Sequence, residues 1–342
     1  NGAEPATLDP HKAQGLTESN ILGEIFEGLM NIKNGKPVPG AAESYTVSPD
    51  GKPYTFTLRP QAKWSNGDPV TAADFAYSLR RALDPATGSP YSALLFPILN
   101  AEAVLGKKMP MSALGVRTIN AKTLEITLTN PAPFFLGILT HATSFPVHRA
   151  TVEKHGEQFT QAGKLVSNGA YTLSQWLPND KIKLTRNTQY WDNANTKIDV
   201  EYLYPLKERG TALALYQQGK LDWLDSVGPD DIRFVKSKFA DEIHKNPVIG
   251  TYYYGLNVSK APFKNNIKLR RALSLAINRQ QLIDSIGQWG QTPAYGWIPP
   301  TIANYSPYQP AEASWTQAQR ETEAKKLYAE AGYGAGKPLN LD

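Results

Sequence analysis

Cysteine is missing from all 342 residues. That gap excludes disulfides, thiol nucleophiles and thiolate metal sites together, and it leaves the compartment undecided by redox chemistry. Long hydrophobic runs are missing too: no apolar stretch approaches the roughly 18 residues that span a bilayer. The opening "NGAEPATLDPHK" has no basic start and no apolar block, so a signal peptide is expected to be absent from this chain. Charge of one sign is also scarce. Lys and Arg number 36 against 31 Asp and Glu, and the resulting +5 is spread without a run, which calls for neither nucleic acid nor a membrane surface. No GxSxG elbow, HExxH pair, Walker lysine loop or EF-hand loop occurs. The five histidines, His11, His141, His148, His155 and His244, never stand at i and i+4, so a metal site or a His-based nucleophile has only scattered candidates. No cofactor, no metal and no catalytic residue is expected.

What is present is long enough for two or more domains with sizeable cores. In "SPDGKPYTFTL" a turn precedes Tyr54, Phe56 and Leu58, which alternate with threonines in the period of a half-buried strand, and the pair reads as a hairpin. After "NGDP", Thr71 and Asp74 form a capping box, with Val70 stapled to Phe75, and a helix presents Phe75, Leu79, Ala82 and Leu83 until Pro85. Leu124, Ile126 and Leu128 mark another strand. "NGAYTLSQWLPNDKIKLTRNTQYWD" reads as two strands around "LPND". Then "DVEYLYPL", "RGTALALYQQG" and "KLDWLDSV" read as strand, helix and strand, whose right-handed crossover would put both strands in one sheet. Farther on, "NIKLRRALSLAINRQQLIDSI" is a helix bent near Asn278, followed by the Pro-rich loop "TPAYGWIPPTIANYSPYQP". "TQAQRETEAKKLYAEAGYGAG" is a helix capped by Thr316 and stopped by Gly332, and "KPLNLD" reads as the start of a strand.

Two features imitate function. "GYGAGK" resembles a phosphate loop, but it follows a helix instead of a strand and reads better as a helix stop and turn. The pairs Arg80-Arg81 and Arg270-Arg271 lie on amphipathic helices, where a solvated face is the default. Tyrosine, at 17, outnumbers Phe and Trp, and Tyr252, Tyr253 and Tyr254 are consecutive. A phenol combines apolar area with a hydrogen-bonding tip, so core packing and ligand contact are both open for the triple.

Taken in order, "AESYTVSPDGKPYTFTLRPQAKWSNGDPVTAADFAYSLRRALDPATGSPY", "NGAYTLSQWLPNDKIKLTRNTQYWDN", "GTYYYGLNV" and "RRALSLAINRQQLI" resemble the bacterial extracytoplasmic oligopeptide-binding proteins that feed ABC importers, within solute-binding protein family 5. The resemblance runs through essentially the whole chain. It implies an α/β, periplasmic-binding-protein-like fold of the class II, cluster C type, with two lobes around a cleft and an inserted β-rich domain. Residues 1–26 and 149–249 would form a discontinuous lobe I, 27–148 the inserted lobe II, and 250–342 the first part of a lobe III. Ligand contacts carried over by resemblance are Gln14, Gly15 and Leu16 through their main chain, Tyr91, Ser226, and Tyr252 to Tyr254 at a hinge and cleft edge.

Binding would be strand addition, in which main-chain hydrogen bonds worth roughly 0.5 to 1.5 kcal/mol each hold a peptide whatever its side chains. The implied partners are an oligopeptide and the membrane permease subunits of an ABC importer. The expected location is periplasmic or otherwise extracytoplasmic and membrane-associated, and the expected state a monomer. The same scaffold with other cargo (dipeptide, murein peptide, metal chelate) and a secreted hydrolase are the alternatives. Gly250 replaces a cysteine, and Gly287 falls near a lysine, of the family pattern. Family members continue well past Asp342, so these residues alone are expected to bind peptide weakly or not at all.

Overall fold

The computed structural model describes residues 2–246, 249–300, 302 and 305–340. The chain divides into two compact units, Asn1–Ser226 and Val227–Asp342.

In the first unit α1 (Leu16–Ile25) leads into a hairpin of β1 (Met30–Lys33) and β2 (Lys36–Pro39). The expected turn "SPDG" then joins β3 (Ala42–Val47) to β4 (Pro53–Leu58). Because Tyr54, Phe56 and Leu58 alternate with threonine, β4 buries one whole face and becomes a central strand. It pairs on its far side with β6 (Thr123–Thr127), placing Tyr54 opposite Ile126 and Phe56 opposite Leu124, and β5 (Val116–Asn120) completes an antiparallel sheet of order β3-β4-β6-β5. The apolar stripe Phe75, Leu79 and Ala82 of α2 (Ala72–Ala82) is buried in the same core. Asp74 starts this helix as expected: its Oδ2 accepts from the Thr71 N–H and from Thr71 Oγ1, each at 2.8 Å.

Short helices α3 (Ala101–Leu105), α4 (Phe135–Ile138) and α5 (Arg149–His155) fill the route to a second sheet. That sheet is β7 (Tyr171–Leu177), β8 (Lys181–Arg186) and β9 (Val200–Leu203), antiparallel throughout. Leu173, Ile182 and Leu184 join the cluster that holds Phe56 and Leu124, so one core runs through both sheets. The entry to β7 is tight. Gly169 donates its N–H to Ile25 O at 2.9 Å, and a Cβ there would lie 2.5 Å from the Ile25 carbonyl carbon and 2.6 Å from Glu24 O.

The expected β-α-β crossover is not there. β9 pairs antiparallel with β8, α6 (Arg209–Gln217) follows, and residues 220–227 join no ladder among the described residues, with Trp223 largely exposed. Alternation supplies a strand with a face, but a ladder also needs a partner, which no single segment encodes.

The second unit starts with α7 (Ile232–Lys238). The long helix breaks where expected, into α8 (Ile267–Ala276) and α9 (Arg279–Leu282), because Asn278 caps the second piece by accepting from the Gln281 N–H at 3.0 Å. α10 (Gln317–Glu330) has Thr316 and Gln319 as a capping box and stops before Gly332, whose φ of +87° suits glycine. Ala272 and Leu275 of α8 pack on Ala324 and Leu327 of α10. After Gly332 the chain makes a tight bridge between Gly334 and Lys337, as a turn reading of "GYGAGK" requires. No strand starts over 338–340, and the last two residues of the expected strand lie outside the described residues.

Gly169→Ala is expected to lower the unfolding free energy by about 1 to 3 kcal/mol, because its methyl would overlap backbone that cannot give way. Urea unfolding followed by circular dichroism measures this.

Candidate functional site

The loop that leads into α1 is built from the bottom by Asp9. Its Oδ1 accepts from the His11 N–H at 3.0 Å, and its carbonyl accepts from Lys12 and Ala13, so 9–13 folds as a compact turn. The carboxylate is buried and receives both arms of Arg81: Nη1 donates to Oδ1 at 2.9 Å and Nη2 to Oδ2 at 2.6 Å. Arg81 Nη1 also lies 2.7 Å from His11 Nδ1. Arginine can only donate, so Nδ1 accepts and Nε2 carries the proton given to Phe145 O at 3.0 Å.

Burial alone would raise the Asp9 carboxyl, but the Arg81 hydrogen bonds and the nearby positive charge hold it below its ordinary range. Burial is the largest influence on His11 and lowers it from 6.5 to about 4, so the ring is neutral at pH 7. The solvated-face expectation for the first arginine pair therefore fails: Arg81 is an interior cation, and Arg80 donates to Val116 O at 3.0 Å. A helical wheel registers a polar residue at such a position without showing which distant acid it meets.

Beside this anchor the expected contacts at Gln14, Gly15, Leu16 and Tyr91 come together, and Ser226 is not among them. Gln14, Gly15 and Leu16 stand at the entry to α1, with the Leu16 side chain 83% exposed. Tyr91 OH donates to Gln14 O at 3.4 Å, joining residues 77 apart in sequence. Its ring meets His141 edge-on at 5.2 Å. His141 Nδ1 accepts from the Thr143 N–H at 3.2 Å, and burial lowers its pKa, which keeps that ring neutral as well. Ser226 is exposed at the end of the first unit, in the stretch that joins no ladder.

In the second unit the three tyrosines are all exposed, by 87%, 59% and 67% along the chain, so they are not core packing. They join no ladder, yet an extended backbone still alternates them. Tyr252 and Tyr254 meet edge to face at 5.8 Å, while Tyr253 lies against Trp297 at 4.6 Å. Thr251 Oγ1 donates to Trp297 O at 2.9 Å and fixes that contact. Of the residues before them, 247 and 248 lie outside the described residues.

A second buried acid was not foreseen. Glu27 Oε1 accepts from Tyr190 OH at 2.7 Å and Oε2 from Trp191 Nε1 at 2.8 Å, while Asn168 bonds both main-chain groups of Glu27. Arg59 stacks 3.7 Å above Trp191. Burial raises Glu27 to about 7, against the opposing pull of Tyr190, Trp191 and Arg59. Among the described residues, no group of three or more His, Asp or Glu is placed to hold a metal ion, and no helix is long and apolar enough to cross a membrane.

Residues 36–341 match the model of the bacterial extracellular solute-binding proteins, family 5 (middle). The chain is 43% identical to the periplasmic oligopeptide-binding protein OppA of Escherichia coli over 346 aligned positions, covering all of this chain and 63% of that protein. It therefore spans less than two thirds of that curated relative. Among solved structures it is similar to the murein tripeptide binding protein MppA of Escherichia coli, with a TM-score of 0.94 and 37% identity over all of this chain and 67% of the other. Haemophilus influenzae OppA in complex with RPPGFSPFR gives a TM-score of 0.89 and 39% identity, covering 99% of this chain and 67% of that one. The fold is thus the α/β, periplasmic-binding-protein-like one that the sequence resembles.

Arg81→Met leaves the Asp9 carboxylate buried without its partner and is expected to cost about 3 to 5 kcal/mol in urea unfolding. The neutral, buried His11 contributes stability that is complete above its ordinary 6.5 and is lost as pH falls through about 4. Glu27, shifted upward, acts in the opposite sense: its contribution is complete below its ordinary 4.5 and is lost as pH rises through about 7. Comparing wild type with His11→Gln separates the two. The stability gap between those proteins is expected to narrow from pH 6.5 to 4, and a gap independent of pH would contradict the assignment.

Proposed function

Because the chain belongs to the bacterial extracellular solute-binding proteins of family 5, we propose that it captures an oligopeptide by that peptide's main chain and delivers it to the permease subunits of an ABC importer. It works outside the cytoplasm and performs no catalytic step. In this reading 1–26 with 149–249, 27–148, and 250–342 are three lobes of the binding protein. The observation that carries the reading is the contact of the Tyr91 hydroxyl with the Gln14 carbonyl. Two residues that the family pattern marks for ligand contact, far apart in sequence, meet beside an exposed loop end held by a buried ion pair.

The roles assigned are main-chain pairing at Gln14, Gly15 and Leu16, and side-chain contact at Tyr91, Ser226 and Tyr252 to Tyr254. Main-chain pairing explains how one protein takes many sequences, because every peptide offers the same N–H and C=O groups. A second reading keeps the scaffold and changes the cargo, and it is favoured by the likeness to a murein tripeptide binding protein.

Calorimetric titration with tri- to pentapeptides of varied side chains tests both readings. Affinity, weak for these residues alone and stronger in a chain extended to the length of its relatives, is expected to vary little with side chain, to fall about tenfold (~1.4 kcal/mol) when one pairing amide is N-methylated, and to fall similarly in Tyr91→Ala or Tyr253→Ala. Preferential binding of dipeptides, murein peptides or a metal chelate selects the second reading. Peptide hydrolysis that disappears when a histidine or carboxylate is replaced would overturn both.

A further inference from the structure

Where α8, α9 and α10 meet in the second unit, a cavity of about 70 Å³ is lined by Arg271, Ser274, Arg279, Tyr295, Glu312 and Arg320. Three guanidinium groups thus face one carboxylate. Two of them also stitch the fold. Arg279 donates Nε to Ala294 O at 3.0 Å, Nη1 to Ser274 O at 2.9 Å and Nη2 to Ser274 Oγ at 2.9 Å. Arg320 donates Nε to Gln317 Oε1 at 3.2 Å and Nη1 to Trp315 O at 2.5 Å and Glu312 O at 3.2 Å. Both stack on the Tyr295 ring, at 5.1 and 5.4 Å.

Stitching accounts for those donors and not for the charge. Carbonyls, an amide and a hydroxyl satisfy N–H groups, but none carries an anion's charge. Glu312 is the lone acid, and its Oε1 lies 3.6 Å from Arg271 Nη2, too far for a good hydrogen bond. Arg320 Nη2 and the whole Arg271 guanidinium make no hydrogen bond among the described residues. Two positive charges therefore go unmatched around one small space, with donors to spare.

We propose that this cavity binds one free tetrahedral oxyanion of the phosphate or sulfate class. Size agrees: a buried water needs only about 10 to 15 Å³, so the space holds several waters or one such ion. Chemistry agrees as well, since the planar forks of Arg271 and Arg320 match paired oxygens, and Ser274 Oγ has a proton to donate. The ion would lock α8 and α10 to the loop that carries Tyr295. None of its lining residues is among the proposed peptide contacts, and the site stands whether or not those hold.

Equilibrium dialysis of the protein with radiolabelled inorganic phosphate, at constant ionic strength set by chloride, tests this. The expected result is saturable binding of one phosphate per chain, displaced by sulfate. At least a tenfold loss of affinity is expected in Arg271→Gln, whose half-exposed side chain is not needed for stitching, and in Arg320→Lys, which keeps the charge and loses the fork. Lys326→Gln, off the cavity, is expected to bind as wild type does. Absence of saturable binding, or equal loss in all three variants, would overturn the proposal, and circular dichroism of each variant separates lost binding from lost folding.

Discussion

A carboxylate held out of water by a single arginine is what places the front of this protein. Asp9 is buried and Arg81 mostly so, and the turn over residues 9–13, the entry to α1 and the Gln14 carbonyl all follow from where that pair sits. Removing two charges from water is unfavourable, and the pair tolerates it because both arms of the guanidinium meet both oxygens. His11 completes the arrangement by staying neutral, accepting from Arg81 on one side and donating to Phe145 on the other. The resulting element joins the chain's first residues to a helix 72 residues farther along.

Regular structure was readable wherever one segment contains its own reason. Tyr54, Phe56 and Leu58 carry a two-residue period, Thr71 with Asp74 and Thr316 with Gln319 carry caps, and Asn278 carries a break; each appears in place. What failed needed a second party. Residues 220–227 read as a strand and form none, Arg81 resembles any polar residue on a helix wheel, and Glu27 meets Tyr190 and Trp191 from more than 160 positions away. Pairing across long separations is a property of the folded chain, and local pattern is silent about it.

The candidate contacts divide along the same line. Exposure of the three tyrosines removes the packing alternative that composition left open, while their alternation survives as two opposed ring contacts. Trp297 had no signal of its own inside a proline-rich loop, yet it is the surface on which Tyr253 rests. The resemblance named Gln14 and Tyr91 separately as expected ligand contacts, and the folded chain joins them by a hydrogen bond. Neither residue type nor spacing could have joined them.

The extended segment around the tyrosines separates two properties that usually travel together. From Thr251 to Val258 no main-chain N–H or C=O is engaged by another described group, although the rings of the same residues are fixed against one another and against Trp297. Among the described groups, the contacts that order it are made by side chains. Its amide protons are therefore open to deuterium from the solvent at nearly the pace of a free peptide, while the aromatic resonances keep the dispersion of a folded protein.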